Sequence, residues 1–128
     1  MQINDLTHKV IGCAYKVHNV LGPGFLEKVY ENSLKLELQR LGIRAQQQVK
    51  LPVWYEGYRV GVYYPDLCVE GQLIVEIKAA LALAPEHETK LLHYLTATGI
   101  DHGLLINFGT SVQIKRKFRE YLSPGAVR

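Results

Sequence analysis

The chain carries little that would tie it to sulfur, lipid or a bound nucleotide. Its 128 residues include only two cysteines, Cys13 and Cys68, spaced neither as metal ligands nor densely enough for a disulfide scaffold. A reducing, cytoplasmic setting is the expectation. No apolar run approaches the roughly 20 residues of a membrane span, and no basic-then-apolar leader opens the chain, so no membrane role is expected. A Gly-rich phosphate loop with Lys-Ser/Thr is lacking, as is a dinucleotide fingerprint; Gly22-Pro23-Gly24 has neither the spacing nor the preceding strand. Paired cysteines and a His-x-x-x-His pair are lacking, which removes the common zinc sites. His87 and His93 lie six apart on divergent helical faces. No serine stands in a nucleophile elbow. Repeats, low-complexity segments and linkers are also absent. Neither sign of charge dominates: 15 basic against 12 acidic residues give +3 and a pI near 8.9, compatible with a polyanionic partner without requiring one.

What is present suits one compact domain spanning 1–128, with 48% hydrophobic residues to fill a core. Asn4 or Asp5 can cap a first helix, whose buried stripe is Leu6, Val10, Cys13, Ala14, Val17 and Leu21. Gly22-Pro23-Gly24 ends it. A second helix is predicted from about Leu26 to Leu41, with Tyr30, Leu34, Leu38 and Leu41 on one side and Glu27 aligned with them. Glu27 either serves the helix N-terminus through the helix dipole or lies at the rim of the interior. Tyr30 reads by default as a core-edge aromatic with its hydroxyl on water or a polar partner. Strands are predicted over Gln46–Val53, Tyr58–Val69 and the stretch up to Ala79. A third helix starts at Pro85 and stops at Gly99. Two strands follow, His102–Phe108 and Val112–Phe118. A helical turn around Arg119–Leu122 and a frayed Ser123-Pro124-Gly125 tail complete the reading. One mixed sheet with helices against it is the simplest packing.

The informative stretch is Pro65–Ala79. Glu76 and Lys78 share one face of a strand, away from Leu73, Val75 and Ile77. If Glu70-Gly71-Gln72 is the loop, Val69 pairs with Leu73 and Asp66 with Glu76, roughly 4.5–5.5 Å apart at Cβ. Facing carboxylates repel, and a cation between them relieves the repulsion. With hard oxygen ligands and no histidine or thiolate, that cation is magnesium or manganese. Such an ion activates water and stabilises charge on phosphorus, and Lys78 can hold the attacking water or neutralise the developing charge. Alternating Glu and Lys is also what a half-exposed antiparallel strand contains, so Glu-x-Lys alone is weak and gains weight only through Asp66.

Pro65-Asp66 followed by Glu76-Ile77-Lys78 resembles the PD-(D/E)xK signature of restriction-endonuclease-like nucleases. Gly24-Phe25-Leu26-Glu27-Lys28-Val29-Tyr30 resembles the motif of the small bacterial GxxExxY proteins. The likeness extends to Pro85-x-His87-Glu88, Leu91-Leu92-x-Tyr94-Leu95 and Gly103–Gly109. It implies an α/β (α+β) fold with an αβββαβ core, a mixed central sheet flanked by helices, an extra N-terminal helix and a C-terminal strand. It further implies Asp66 and Glu76 as metal ligands, Glu27 as a third acid, Lys78 as catalytic lysine, and Mg2+ or Mn2+ as cofactor. The activity implied is phosphodiester hydrolysis in DNA or RNA; a catalytically inactive module of the same fold, binding nucleic acid or a protein, is the alternative. Where the family usually has Gln, this chain has Lys90, which either grips a phosphate or competes with the metal. Candidate substrate contacts are Tyr30, Lys90, Lys115 and Lys117, the last two within a basic run that also reads as a solvated strand. Among Trp54, Tyr55, Tyr58, Tyr63 and Tyr64, one or two exposed rings could stack on bases. A homodimer would let so small a chain span a duplex.

Overall fold

The computed structural model describes residues 1–119. Apart from Arg119, the expected turn at Arg119–Leu122 and the Ser123–Gly125 tail lie outside the described residues.

Helix α1 (Ile3–Leu21) buries Leu6, Val10, Cys13, Ala14 and Val17, the stripe set by helical spacing. Its cap differs from expectation. The helix begins one residue before Asn4, with Gln2 at the N-cap and no side-chain cap. Asn4 instead accepts a hydrogen bond from Arg116 at 2.8 Å. Helix α2 (Glu27–Arg40) buries Tyr30, Glu31, Leu34 and Leu38. Leu41, assigned to that stripe by periodicity, is exposed because the helix has already ended.

The strands are β1 (Ala45–Gln46), β2 (Leu51–Tyr55), β3 (Tyr58–Tyr63), β4 (Leu67–Val69), β5 (Leu73–Lys78), β6 (His102–Phe108) and β7 (Val112–Phe118), with α3 (Pro85–Thr98) between β5 and β6. A five-stranded sheet runs β1-β4-β5-β6-β7, and β2-β3 form a separate two-stranded sheet. Only β5 and β6 pair in parallel, across the α3 crossover; β1-β4, β4-β5 and β6-β7 are antiparallel. The order α2-β1-β4-β5-α3-β6 is the αβββαβ core of a restriction-endonuclease-like fold, preceded by α1 and followed by β7.

Two strands expected to be continuous are each divided. Gln48 adopts φ 56°, which takes the chain out of β1 before β2 begins. At Tyr64-Pro65 the chain leaves β3 and enters the other sheet at Leu67. Proline has no N–H for a ladder and restricts the residue before it. The hairpin β2–β3 is therefore an insertion between the first and second core strands.

The main sheet is covered on both faces. Leu73, Val75 and Ile77 of β5 join Leu104, Ile106 and Phe108 in one core with α1 and α2. Ile74 and Leu105 face the other way and join Leu91 and Leu95 of α3 with Tyr63. Alternation thus puts Glu76 and Lys78 on the α3 face. Gly103 is where α3 comes closest: a Cβ there would stand 3.2 Å from Leu91 and Leu95 methyls. Among the described residues no helix is long and apolar enough to cross a membrane.

Asn107, opposite Lys78 in the parallel register, is fully buried. Its Oδ1 accepts from Ala80 N–H at 2.9 Å, and its Nδ2 donates to the Ala80 carbonyl at 3.0 Å and to Gln113 at 3.0 Å. This clamp anchors the chain just beyond Lys78, where regular pairing has ended.

Candidate active site

The β4–β5 hairpin turns at Glu70 (φ 53°) and Gly71 (φ 66°). Its register pairs Val69 with Leu73, Cys68 with Ile74 and Leu67 with Val75. One more step sets Asp66 opposite Glu76, as the three-residue loop required. Asp66 stands just outside the ladder and continues it with its side chain, Oδ2 accepting the Ile77 N–H at 2.7 Å.

Glu76 is held from two sides. The Tyr63 hydroxyl donates to its Oε1, and the Tyr63 ring stacks on Tyr94 of α3 with centroids 3.9 Å apart. Burial first, and the charge of Asp66 second, push the Glu76 carboxyl from its ordinary 4.5 to about 7. Asp66 is also raised, chiefly by burial; the Ile77 N–H works against this, while Glu31 and then Glu27 push it further up. The Tyr63 hydroxyl is raised by burial and by the Glu76 charge. Two neighbouring carboxyls, both raised chiefly by burial, form a locus where a cation can offset the cost of ionisation.

Helix α2 adds negative charge at this end of the sheet, though not as its periodicity suggested. Glu27 is exposed. Glu31, one turn on, is the buried acid, only 5% exposed. Its carboxylate accepts from Lys28 at 2.8 Å and from Gln47 at 2.5 Å. Sequence reading missed both Glu31 and Gln47. Position 31 is four past Glu27 and three before Leu34, so the spacing that marked Leu34 also marked Glu31. Gln47 carried no comparable signal.

Lys78 projects from the same face as Glu76 into a cavity of about 480 Å3, lined also by Tyr63, Tyr64, His87, Lys90 and Tyr94. Lys90 forms no ion pair among the described residues. The groups that move Glu76 most are burial, Asp66 and Tyr63, not a lysine.

Three expected substrate residues are placed elsewhere. Tyr30 is fully buried and stacks on Phe108 at 4.5 Å. Its hydroxyl donates to the Gly22 carbonyl at 2.6 Å and accepts from Phe25 N–H at 3.2 Å. It staples the loop entering α2 and offers no surface to a substrate. Lys115 and Lys117 sit on β7, outside the cavity lining. Lys117 is paired with Glu88 of α3 at 2.7 Å. Nor do Asp66, Glu76 and Glu27 converge: among the described residues no group of three or more His, Cys, Asp or Glu is placed to hold a metal ion. The donor set that fits a divalent ion is the pair Asp66 and Glu76, all-oxygen and both raised chiefly by burial.

A family model described as the PD-(D/E)XK nuclease superfamily matches residues 4–120. No curated protein sequence matches significantly. Among solved structures, the crystal structure of SSO0001 superposes with a TM-score of 0.53 at 16% identity, covering 92% of this chain and 59% of that one. The chain therefore spans about three fifths of that protein's length. The alkaline exonuclease LHK-Exo from Laribacter hongkongensis gives a TM-score of 0.49 at 12% identity, covering 84% of this chain and 76% of that one. Its complex with dAMP gives the same values. At 16% identity the likeness to SSO0001 is one of fold. The family match covers nearly the whole described chain: the chain belongs to the PD-(D/E)XK nuclease superfamily.

Proposed function

We propose that this chain is a Mg2+- or Mn2+-dependent nuclease that hydrolyses phosphodiester bonds of DNA or RNA. The observation that carries the reading is the pairing of Asp66 with Glu76 beside Lys78, with Glu76 raised to about 7 although no strand-packing need calls for an acid there. A strongly perturbed carboxyl lining a cavity beside a second acid marks a candidate functional site.

Asp66 and Glu76 are the residues that would hold the metal. A divalent ion bound there supplies positive charge for the phosphoryl oxygens and lowers the pKa of a water. Asp66 is oriented by the Ile77 N–H and Glu76 by Tyr63, so neither carboxylate has to find its place when substrate arrives. Lys78 directs its ammonium toward the attacking water or the charge that develops on phosphorus. Lys90 holds a neighbouring phosphate. Glu27 and Glu31 contribute negative potential to Asp66, with Glu31 the stronger of the two, and Glu27 is the acid free to reorient toward the ion.

Calorimetric titration with Mg2+ and Mn2+ tests the metal. Wild type binds in the millimolar range or tighter and Asp66→Ala does not. Labelled single-stranded, duplex and branched oligonucleotides test the chemistry, with Lys78→Ala as control. Nucleic-acid binding without metal-dependent cleavage of any substrate would replace the enzyme by an inactive module of the same fold.

A further inference from the structure

We infer that His87 is a hydrogen-bond donor of fixed tautomer that contacts a phosphate oxygen of the nucleic-acid strand. The inference rests on the nuclease reading above and extends it to a residue outside the signature.

The argument begins at the start of α3. Ala84 stands at the N-cap and has no side-chain oxygen, so it cannot satisfy the free N–H groups of the first turn as Ser, Thr, Asn or Asp would. His87, at the third helical position, supplies the reciprocal half of a capping box. Its backbone N–H donates to the Ala84 carbonyl at 3.0 Å, and its Nδ1 accepts the Ala84 N–H at 3.2 Å. A backbone amide can only donate through its N–H, so Nδ1 must be unprotonated. The proton of the neutral ring therefore sits on Nε2, at the opposite edge.

Nε2 has no hydrogen-bond partner among the described residues. His87 lines the same cavity as Glu76, Lys78 and Lys90, and His87 and Lys90 are three apart on one helix, hence on one face. The two lysines are free of ion pairs among the described residues. A fixed N–H donor beside two unpaired ammonium groups is the chemistry that grips phosphate oxygens. It also explains the residue type. Glu is a common choice at this capping position, and here it would complete the cap while turning a negative charge toward the incoming phosphate. Histidine completes the cap and presents a donor instead. No proton leaves the ring in this role.

The test separates the cap from the contact. His87→Gln retains both, since its carbonyl can accept from Ala84 while its NH2 faces the cavity. His87→Glu retains the cap and reverses the donor. His87→Ala loses both. We expect the Gln and Glu variants to melt within a few degrees of wild type and His87→Ala to melt lower. Affinity for a fluorescent oligonucleotide, measured by anisotropy in EDTA, should be within about threefold of wild type for His87→Gln and at least tenfold weaker for His87→Glu. Long-range proton–nitrogen correlation should find the proton of His87 on Nε2. Wild-type affinity in His87→Glu, or a proton on Nδ1, overturns the inference while leaving the nuclease reading in place. A wild-type protein that neither binds nor cleaves any oligonucleotide overturns both.

Discussion

Replacing Glu76 by Gln should stabilise the metal-free protein while destroying its proposed activity, and the gain should depend on pH in a defined direction. Glu76 has its ordinary value of 4.5 in the unfolded chain and about 7 in the fold. Below pH 4.5 the carboxyl is protonated in both states and contributes no difference. Between 4.5 and about 7 the native protein keeps a proton that the unfolded chain has released, so native stability falls as pH rises. Above about 7 the native carboxyl ionises against burial and against Asp66, and the full penalty remains. The gap between the two values, at about 1.4 kcal/mol per pH unit, makes that penalty roughly 3 kcal/mol. Gln carries no such charge, can still accept from Tyr63, and can donate to Asp66. In EDTA, Glu76→Gln should therefore match wild type near pH 4 and exceed it by roughly 3 kcal/mol at pH 8, or about 10 °C in Tm for a domain of this size. Adding Mg2+ at about 100 times its Kd should return roughly 2.7 kcal/mol to wild type and nothing to the variant. Urea titrations at several pH values measure this. Coincident curves at pH 8, or an advantage for Gln that shrinks as pH rises, would refute the electrostatic account of the site.

Other outcomes follow from the same contacts. Tyr30→Phe removes the hydroxyl that joins Gly22 to Phe25 but keeps the stack on Phe108; urea denaturation should show a loss of about 1–3 kcal/mol, with oligonucleotide affinity unchanged, and a selective loss of affinity would return Tyr30 to the substrate. Asn107→Ala leaves the Ala80 N–H and carbonyl without partners in the interior, so a loss of about 2–4 kcal/mol is expected, together with faster amide exchange at Ala80. Lys90→Gln should weaken oligonucleotide binding several-fold and make its salt dependence shallower; tighter Mg2+ binding in that variant would mean that Lys90 competes for the carboxylates after all.

The fold was largely legible because its buried positions carry strong periodicity. The α1 stripe, the Pro85 start and Gly99 stop of α3, and the doubly buried run Leu104–Ile106 each agree with local chemistry and global packing. The β4–β5 register was legible too, since Glu70-Gly71-Gln72 leaves one pairing that keeps Leu73, Val75 and Ile77 on one face. Less legible was anything set by an approach in three dimensions. Tyr30 reads by default as a core-edge aromatic, and it is Phe108, far along the chain, that holds its ring in the interior. Glu31 was passed over because an acid inside an apolar stripe reads as an interruption until Gln47 and Lys28 supply its partners. Lys117 reads as either a phosphate contact or part of a solvated strand, and its ion pair with Glu88 of α3 is not visible in the basic run itself.

The division of the expected strand Tyr58–Val69 has a functional reason that follows from strand geometry alone. Glu76 interacts with both Tyr63 and Asp66, and these two are three residues apart. In an uninterrupted strand, residues separated by an odd number point to opposite faces. A continuous strand could therefore bring either the tyrosine or the aspartate to Glu76, never both. Pro65 ends β3, the chain crosses from the small sheet to the large one, and the alternation restarts at Leu67. The proline that precedes the aspartate thus does more than mark a motif. It resets the side-chain phase so that a phenol which orients Glu76 and a carboxylate whose charge acts on it both face that residue.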